Sequence, residues 1–222
     1  NRQITESTKI YDREGEKVLY EIYDEERRTL IPFEKIPEKI KQATLAIEDG
    51  NFYNHSALDF KSLLRAQLNN LGLLFGKSGV VQGGSTITQQ LAKKAFLSDD
   101  RTITRKIKEA IIAYRLESKF TKDEILTLYL NQIPYGSNAY GIESAAQTFF
   151  QKSALDLTLA EAALLASLPQ APSYYSPHGS HVSDLMARKE LVLNRMELLG
   201  YITKADHEQA SAQELKFSQI KN

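Results

Sequence analysis

The chain has 222 residues, 28 basic and 28 acidic side chains, no cysteine and no tryptophan. That length suits one large domain with a real core, and a content of 42% hydrophobic and 25% charged residues is that of a folded globular chain. The composition excludes a disulfide scaffold, a thiol nucleophile and a thiolate metal site, and its zero net charge argues, as an average, against nucleic acid.

The average hides a partition. Residues 1–60 carry 9 basic and 13 acidic side chains, residues 61–122 carry 12 and 4, and residues 123–222 carry 7 and 11. The net charges are therefore −4, +8 and −4. A cationic middle between acidic flanks is either an anion site or a pair of solvated helix faces. No run approaches the roughly 18–20 apolar residues that span a bilayer. Asn1-Arg2-Gln3 opens without a signal-peptide pattern and reads as part of something longer.

In chain order, residues 8–23 alternate in strand fashion around Asp12-Arg13-Glu14-Gly15, which predicts a hairpin. Pro32 and Pro37 lead into a helix over about 38–49. Further helices are expected over about 58–71, 85–97, 102–118, 121–131, 138–149, 159–168, 183–199 and 203–212, with breaks at Pro134, Gly136, Pro169, Pro172 and Pro177. Residues 72–84 hold five glycines and read as an apolar loop. The expected class is mainly α with a small N-terminal β element.

Three clusters carry chemistry. Glu48-Asp49 closes the first helix among Ala43, Leu45, Ala46, Ile47, Phe52 and Tyr53, with His55 following. An acid in apolar company has its charged form disfavoured and suits proton transfer, although adjacent acids at a helix end are more often simply solvated. Next, Gly83-Gly84-Ser85-Thr86 opens a helix with capping-box spacing from Thr86 to Gln89. Ser85, Gln89 and Lys93 lie four apart and share a face, as in a polar groove or a plain surface helix. Lys93 does not follow the second glycine of a GxxxxGK pattern, so a phosphate loop fails. Third, Arg101, Arg105 and Lys108 project together from a helix whose core stripe is expected to be Ile103, Ile107, Ala110, Ile111 and Tyr114. Three cations on one turn suit a diphosphate. Glu109 stands four residues after Arg105, the spacing of an ordinary ion pair.

Taken in order, Glu48-Asp49-x-x-Phe52-x-x-His55, Gly84-Ser85-Thr86-Ile87-Thr88-Gln89-Gln90-Leu91-Ala92-Lys93, Arg105-Lys106-x-Lys108-Glu109, Glu124-Ile125-Leu126-x-x-Tyr129-Leu130-Asn131 and Ala160-Glu161-Ala162-Ala163-Leu164-Leu165-Ala166 with Pro169 and Pro172 resemble the five motifs of the peptidoglycan glycosyltransferases (family 51). These are the glycosyltransferase domains of class A penicillin-binding proteins and the monofunctional transglycosylases, and the resemblance covers about residues 30–200. It implies a lysozyme-like, two-lobed helical fold. An N-terminal β region over 1–37 would precede a glycosyltransferase domain over 38–222, with a small membrane-facing lobe at about 70–130.

The resemblance further implies that lipid II is polymerised into β-1,4-linked glycan with inversion and release of undecaprenyl diphosphate. Glu48 would be the base for the acceptor hydroxyl and Glu109 the second catalytic glutamate, on the diphosphate side, with room there for a divalent metal (Mg or Mn). Ser85, Thr86, Gln89, Lys93, Arg101, Arg105, Lys108 and Asn131 would bind substrate, with Asp49, Phe52 and His55 in support. No organic cofactor and no nucleic-acid partner are expected. The implied partners are lipid II, the growing glycan strand, the membrane surface and phosphoglycolipid inhibitors of the moenomycin type, at the extracytoplasmic face of the bacterial cytoplasmic membrane.

Two departures from the family pattern are Ala57, where glycine is usual, and Gln170, where lysine is frequent. His178-x-x-His181 lacks a third ligand and is not a metal motif. The rival readings are a lysozyme-like glycan-cleaving enzyme, which has no need of the cationic helix, and a non-catalytic lipid-binding relative, in which loss of Glu48 or Glu109 is expected. A Ser-x-x-Lys spacing occurs once, at Ser218-Gln219-Ile220-Lys221, and transpeptidation is not expected.

Overall fold

The computed structural model describes residues 8–11, 18–22, 27–28, 30–59, 84–97 and 102–218. The chain forms two compact units, one from residues 1–47 and 130–222, the other from 48–129.

In the first unit, strands β1 (Thr8–Tyr11) and β2 (Val18–Ile22) pair antiparallel, Thr8 opposite Ile22, as the alternation predicts. A second small sheet has the order β3 (Arg27–Arg28), β5 (Ala139–Tyr140), β4 (Pro134–Gly136). Ser137 and Asn138, with φ of 49° and 57°, make the two-residue turn between β4 and β5. This hairpin corrects the helix expected from residue 138, which begins at Ile142 instead. Strands of two and three residues are too short to show a period of two.

The unit's helices are α1 (Glu38–Glu48, up to Ile47), α5 (Ile142–Phe150), α6 (Leu159–Ser167), α7 (Val182–Leu198) and α8 (Lys204–Ala212). Helix α6 is buried at every position from Ala160 to Ser167. Its apolar character on all sides is that of a central helix. Ala160, Ala163 and Ala166 let α1 (Ala43, Ala46, Ile47), α7 (Val192, Leu193, Met196) and α8 (Ala210) approach closely. A capping box between Thr158 and Glu161 starts α6, and Lys152 pairs with Glu161 at 2.8 Å.

In the second unit, the end of α1 at Glu48 is followed by a 3-10 turn (Phe52–Asn54), α2 (Ile87–Phe96), α3 (Ile103–Glu117) and α4 (Lys122–Gln132, up to Tyr129). Helices α2 and α3 pack on one another. Helix α3 buries Glu109, Ala113 and Leu116, and this corrects the expected core stripe. Ile103, Ile107, Ile111 and Tyr114 are 83%, 57%, 50% and 71% exposed. Periodicity identifies an apolar face but not what that face meets. From residue 60 on, the helix expected over 58–71 lies outside the described residues, as do most of the loop at 72–84 and Arg101.

Candidate active site

The second unit gathers the first three motifs around the start of α2. The Thr86 hydroxyl accepts the Gln89 N–H at 3.2 Å, and Gln89 Oε1 accepts the Thr86 N–H at 3.0 Å. This capping box satisfies backbone groups that a helix start otherwise leaves open. Thr86 also donates to the Ala57 carbonyl at 2.8 Å, so position 57 acts here through its backbone. Both side chains are buried and committed to holding α2 in place.

Asp49 secures the same terminus from the other side. Its Oδ1 lies 2.7 Å from His55 Nε2, and its Oδ2 accepts the Ile87 N–H at 3.1 Å. His55 Nδ1 is 2.5 Å from the Ser56 carbonyl. Both ring nitrogens thus face acceptors, the arrangement of an imidazolium. Burial works against that charge, but the hydrogen bond to Asp49, the Ser56 carbonyl and the Asp49 charge outweigh it and raise the pKa above 6.5. Phe52 is buried beneath the turn, edge-on to His55, with Lys122 Nζ 4.4 Å from its ring centre. Lys122 and Thr88 both donate to Glu117 Oε1, at 2.7 and 2.6 Å. This network ties α2, α3 and the head of α4 into one frame.

On this frame stand the two glutamates. Glu48, half-buried at the end of α1, accepts the Gln90 amide on Oε2 at 2.6 Å. Glu109 is 2% exposed and meets Lys106 Nζ at 2.5 Å. The same ammonium reaches Ser85 Oγ at 2.9 Å. Lys106 therefore joins the second motif to the third and supplies the ion pair for which the sequence offers Arg105. Two nitrogens of Arg105, Nε and Nη1, are buried with no hydrogen-bond partner among the described residues. A buried donor without an acceptor is costly and calls for an explanation. Lys108 is exposed on α3, and Lys93 is half-buried on α2.

Asn131 belongs to the other unit. Its Oδ1 accepts the Ile31 N–H and its Nδ2 donates to the Ile31 carbonyl, both at 2.8 Å, so its amide clamps backbone. Gln170 is exposed just beyond α6. His178 stacks on Phe149, and His181 packs on Tyr174.

Among the described residues, no three His, Asp or Glu side chains converge as metal ligands. At Glu109, Oε1 is engaged by Lys106. Sequence reasoning overlooked Lys106 and Gln90. The i,i+3 spacing of Lys106 to Glu109 was a signal for the first; for the second there was only its place in the motif.

A transglycosylase family model matches residues 15–197. The chain belongs to the transglycosylase family and is a peptidoglycan glycosyltransferase domain. It is 45% identical over 205 residues to penicillin-binding protein 1A of Aquifex aeolicus, covering 92% of this chain and 27% of that protein. Against penicillin-binding protein 1A of Neisseria flavescens it is 43% identical over 211 residues, 95% of this chain and 26% of the relative. Against penicillin-binding protein 4 of Bacillus subtilis the figures are 38% over 213 residues, 96% and 33%. The crystal structure of penicillin-binding protein 1A from Haemophilus influenzae superposes with a TM-score of 0.54 at 25% identity, over 99% of this chain and 22% of that one. The helical fold is thus that of the lysozyme-like glycosyltransferases. The chain spans between about a quarter and a third of the length of these curated relatives.

Proposed function

We propose that the chain polymerises lipid II into β-1,4-linked glycan with inversion at the donor's anomeric carbon. Glu48 takes the proton of the acceptor 4-hydroxyl, whose oxygen bonds to that carbon. The carbon–diphosphate bond breaks, and undecaprenyl diphosphate leaves with the electron pair. A departing diphosphate needs fixed positive charge where its own charge develops. Arg105, Lys106, Lys108, Lys93 and Arg101 are the cations assigned to it, with Ser85 as an orienting hydroxyl. Glu109 keeps Lys106 turned toward Ser85.

The observation that carries this reading is Arg105, whose buried, unpartnered Nε and Nη1 stand one residue from the Lys106–Glu109 pair. A glycan-cleaving enzyme, whose leaving group is a sugar, has no need of the cations Arg105, Lys106 and Lys108 on one helix. The test is incubation with labelled lipid II and sizing of the product. Chains of glycan are expected, and only unreacted lipid II would defeat the reading. A phosphoglycolipid of the moenomycin type, carrying a phosphate on a glycan, would compete for the same cations.

We also infer that the outer face of α3 meets the membrane on its extracytoplasmic side. Ile103, Ile107, Ile111 and Tyr114 form an exposed apolar stripe, flanked by exposed Lys108 and Arg115. An apolar stripe with basic flanks suits the interface of an anionic bilayer. No helix among the described residues is long and apolar enough to cross a membrane.

A further inference from the structure

We propose that Gln90 is a positioning residue for Glu48 and that Tyr129 sets the orientation of the Gln90 amide; this rests on the glycosyl-transfer reading above. Glu48 ends α1, and a carboxylate on a three-torsion side chain at a helix end has rotamers to spare. Gln90 removes that freedom, since its Nε2 donates to Glu48 Oε2 at 2.6 Å. A glutamine amide can turn either end to a neighbour, and only one end donates. Tyr129, fully buried on α4, decides between them by placing its hydroxyl 3.3 Å from Gln90 Oε1. The amide oxygen accepts the phenolic proton, so the NH2 group faces Glu48.

Gln90 itself has little freedom. It follows Gln89, which the capping box fixes, and its N–H closes the first turn of α2 on the Thr86 carbonyl at 3.0 Å. Three elements thus act in series, α4 through α2 to α1. Among the described residues, titratable groups next to these in the chain include Asp49, held by His55 and the Ile87 N–H, and Lys93, one turn further along α2. The arrangement fixes one carboxylate oxygen, Oε2, and so the orientation of the group, as a base in general catalysis requires.

The test uses the whole chain and three variants, Gln90→Leu, Gln90→Glu and Tyr129→Phe. Steady-state polymerisation of lipid II is followed across pH, together with a 13C titration of the Glu48 carboxyl without substrate. Gln90→Leu is expected to lower kcat about ten- to a hundredfold with KM nearly unchanged. It should also move the Glu48 titration and the acid limb of kcat up by about one unit, because a donor to the ionised form is lost. Gln90→Glu should move both further, by like-charge repulsion. Tyr129→Phe, which keeps the ring, should give a smaller shift in the same direction. An unshifted Glu48 titration in Gln90→Leu and Gln90→Glu overturns the proposal, as does a rise in KM alone. If the unmodified chain leaves lipid II intact, the glycosyl-transfer reading fails, and the substrate-free titration still decides whether Gln90 governs Glu48.

Discussion

Glu109 is buried against Lys106, one turn earlier on the same helix, with 2.5 Å between carboxylate and ammonium. Removing the lysine leaves a carboxylate in a poorly solvated place with its attraction gone. Breaking a buried pair from one side costs about 3–5 kcal/mol, but Lys106 is 47% exposed and water screens part of the interaction. Lys106→Ala is therefore expected to lose about 1–2 kcal/mol in urea unfolding. Glu109→Gln should lose less, since it leaves only a half-exposed cation behind. Equal stability of Lys106→Ala and the unmodified chain would contradict the pairing.

The Asp49–His55 pair makes stability depend on pH in a defined direction. The folded pKa of His55 lies above its ordinary 6.5. Its contribution is then complete below about pH 6.5 and fades as pH rises through the folded value. His55→Ala should flatten the stability profile above pH 6.5, measured as denaturation midpoint against pH. Asp49→Ala should do the same and destabilise at every pH, because the Ile87 N–H loses its acceptor too.

In the first unit, His207 on α8 sits between two α7 carboxylates, Glu197 at 2.5 Å and Glu190 at 2.6 Å. Hydrogen bonds to both raise its pKa. Burial works against the Glu190 charge, but bonds from Ser211 and His207 prevail and lower its pKa. The lowered acid contributes fully above about pH 4.5, the raised base below about 6.5. Attachment of α8 should be firmest between those values. Amide exchange over 204–212, corrected for its intrinsic pH dependence, should be slowest in that window and lose the dependence in His207→Ala.

The exposed stripe on α3 predicts an unusual pair of results. Ile107→Ser and Ile111→Ser should barely change the melting temperature, since both side chains are half or more exposed. Each should weaken sedimentation with anionic vesicles about fivefold, the equivalent of roughly 1 kcal/mol of lost apolar contact. A large stability loss with unchanged vesicle binding would return these residues to a core.

Much of the second unit was legible from local rules. The Thr86–Gln89 spacing predicts the cap at the head of α2, whereas the resemblance, not a local rule, sets Glu48 apart from Asp49, which the structure engages on both oxygens. Pattern and punctuation also located seven of the eight described helices to within about two residues, with α5 displaced by the β4–β5 turn. What escaped depended on contacts distant in sequence. Lys106 gains its meaning from Ser85, 21 residues earlier, and Gln90 from Glu48, 42 residues earlier. Asn131 looks like a motif residue whose amide awaits a ligand, yet Ile31, 100 residues away, takes both ends of it. The apolar stripe of α3 faces outward where the hydrophobic pattern predicts a core, and the buried face carries a charged residue, Glu109, that such a pattern ignores.

The central claim is that Glu48 is the base of a glycosyl transfer between lipid-linked donors. It is tested most directly by presenting labelled lipid II to the unmodified chain and to Glu48→Gln, with circular dichroism as a check on folding and gel sizing of the products. The expected result is glycan polymer from the first, and loss of at least about a hundredfold in rate from the second with its fold and melting temperature retained. Polymer formed by Glu48→Gln at a near-normal rate would contradict the account.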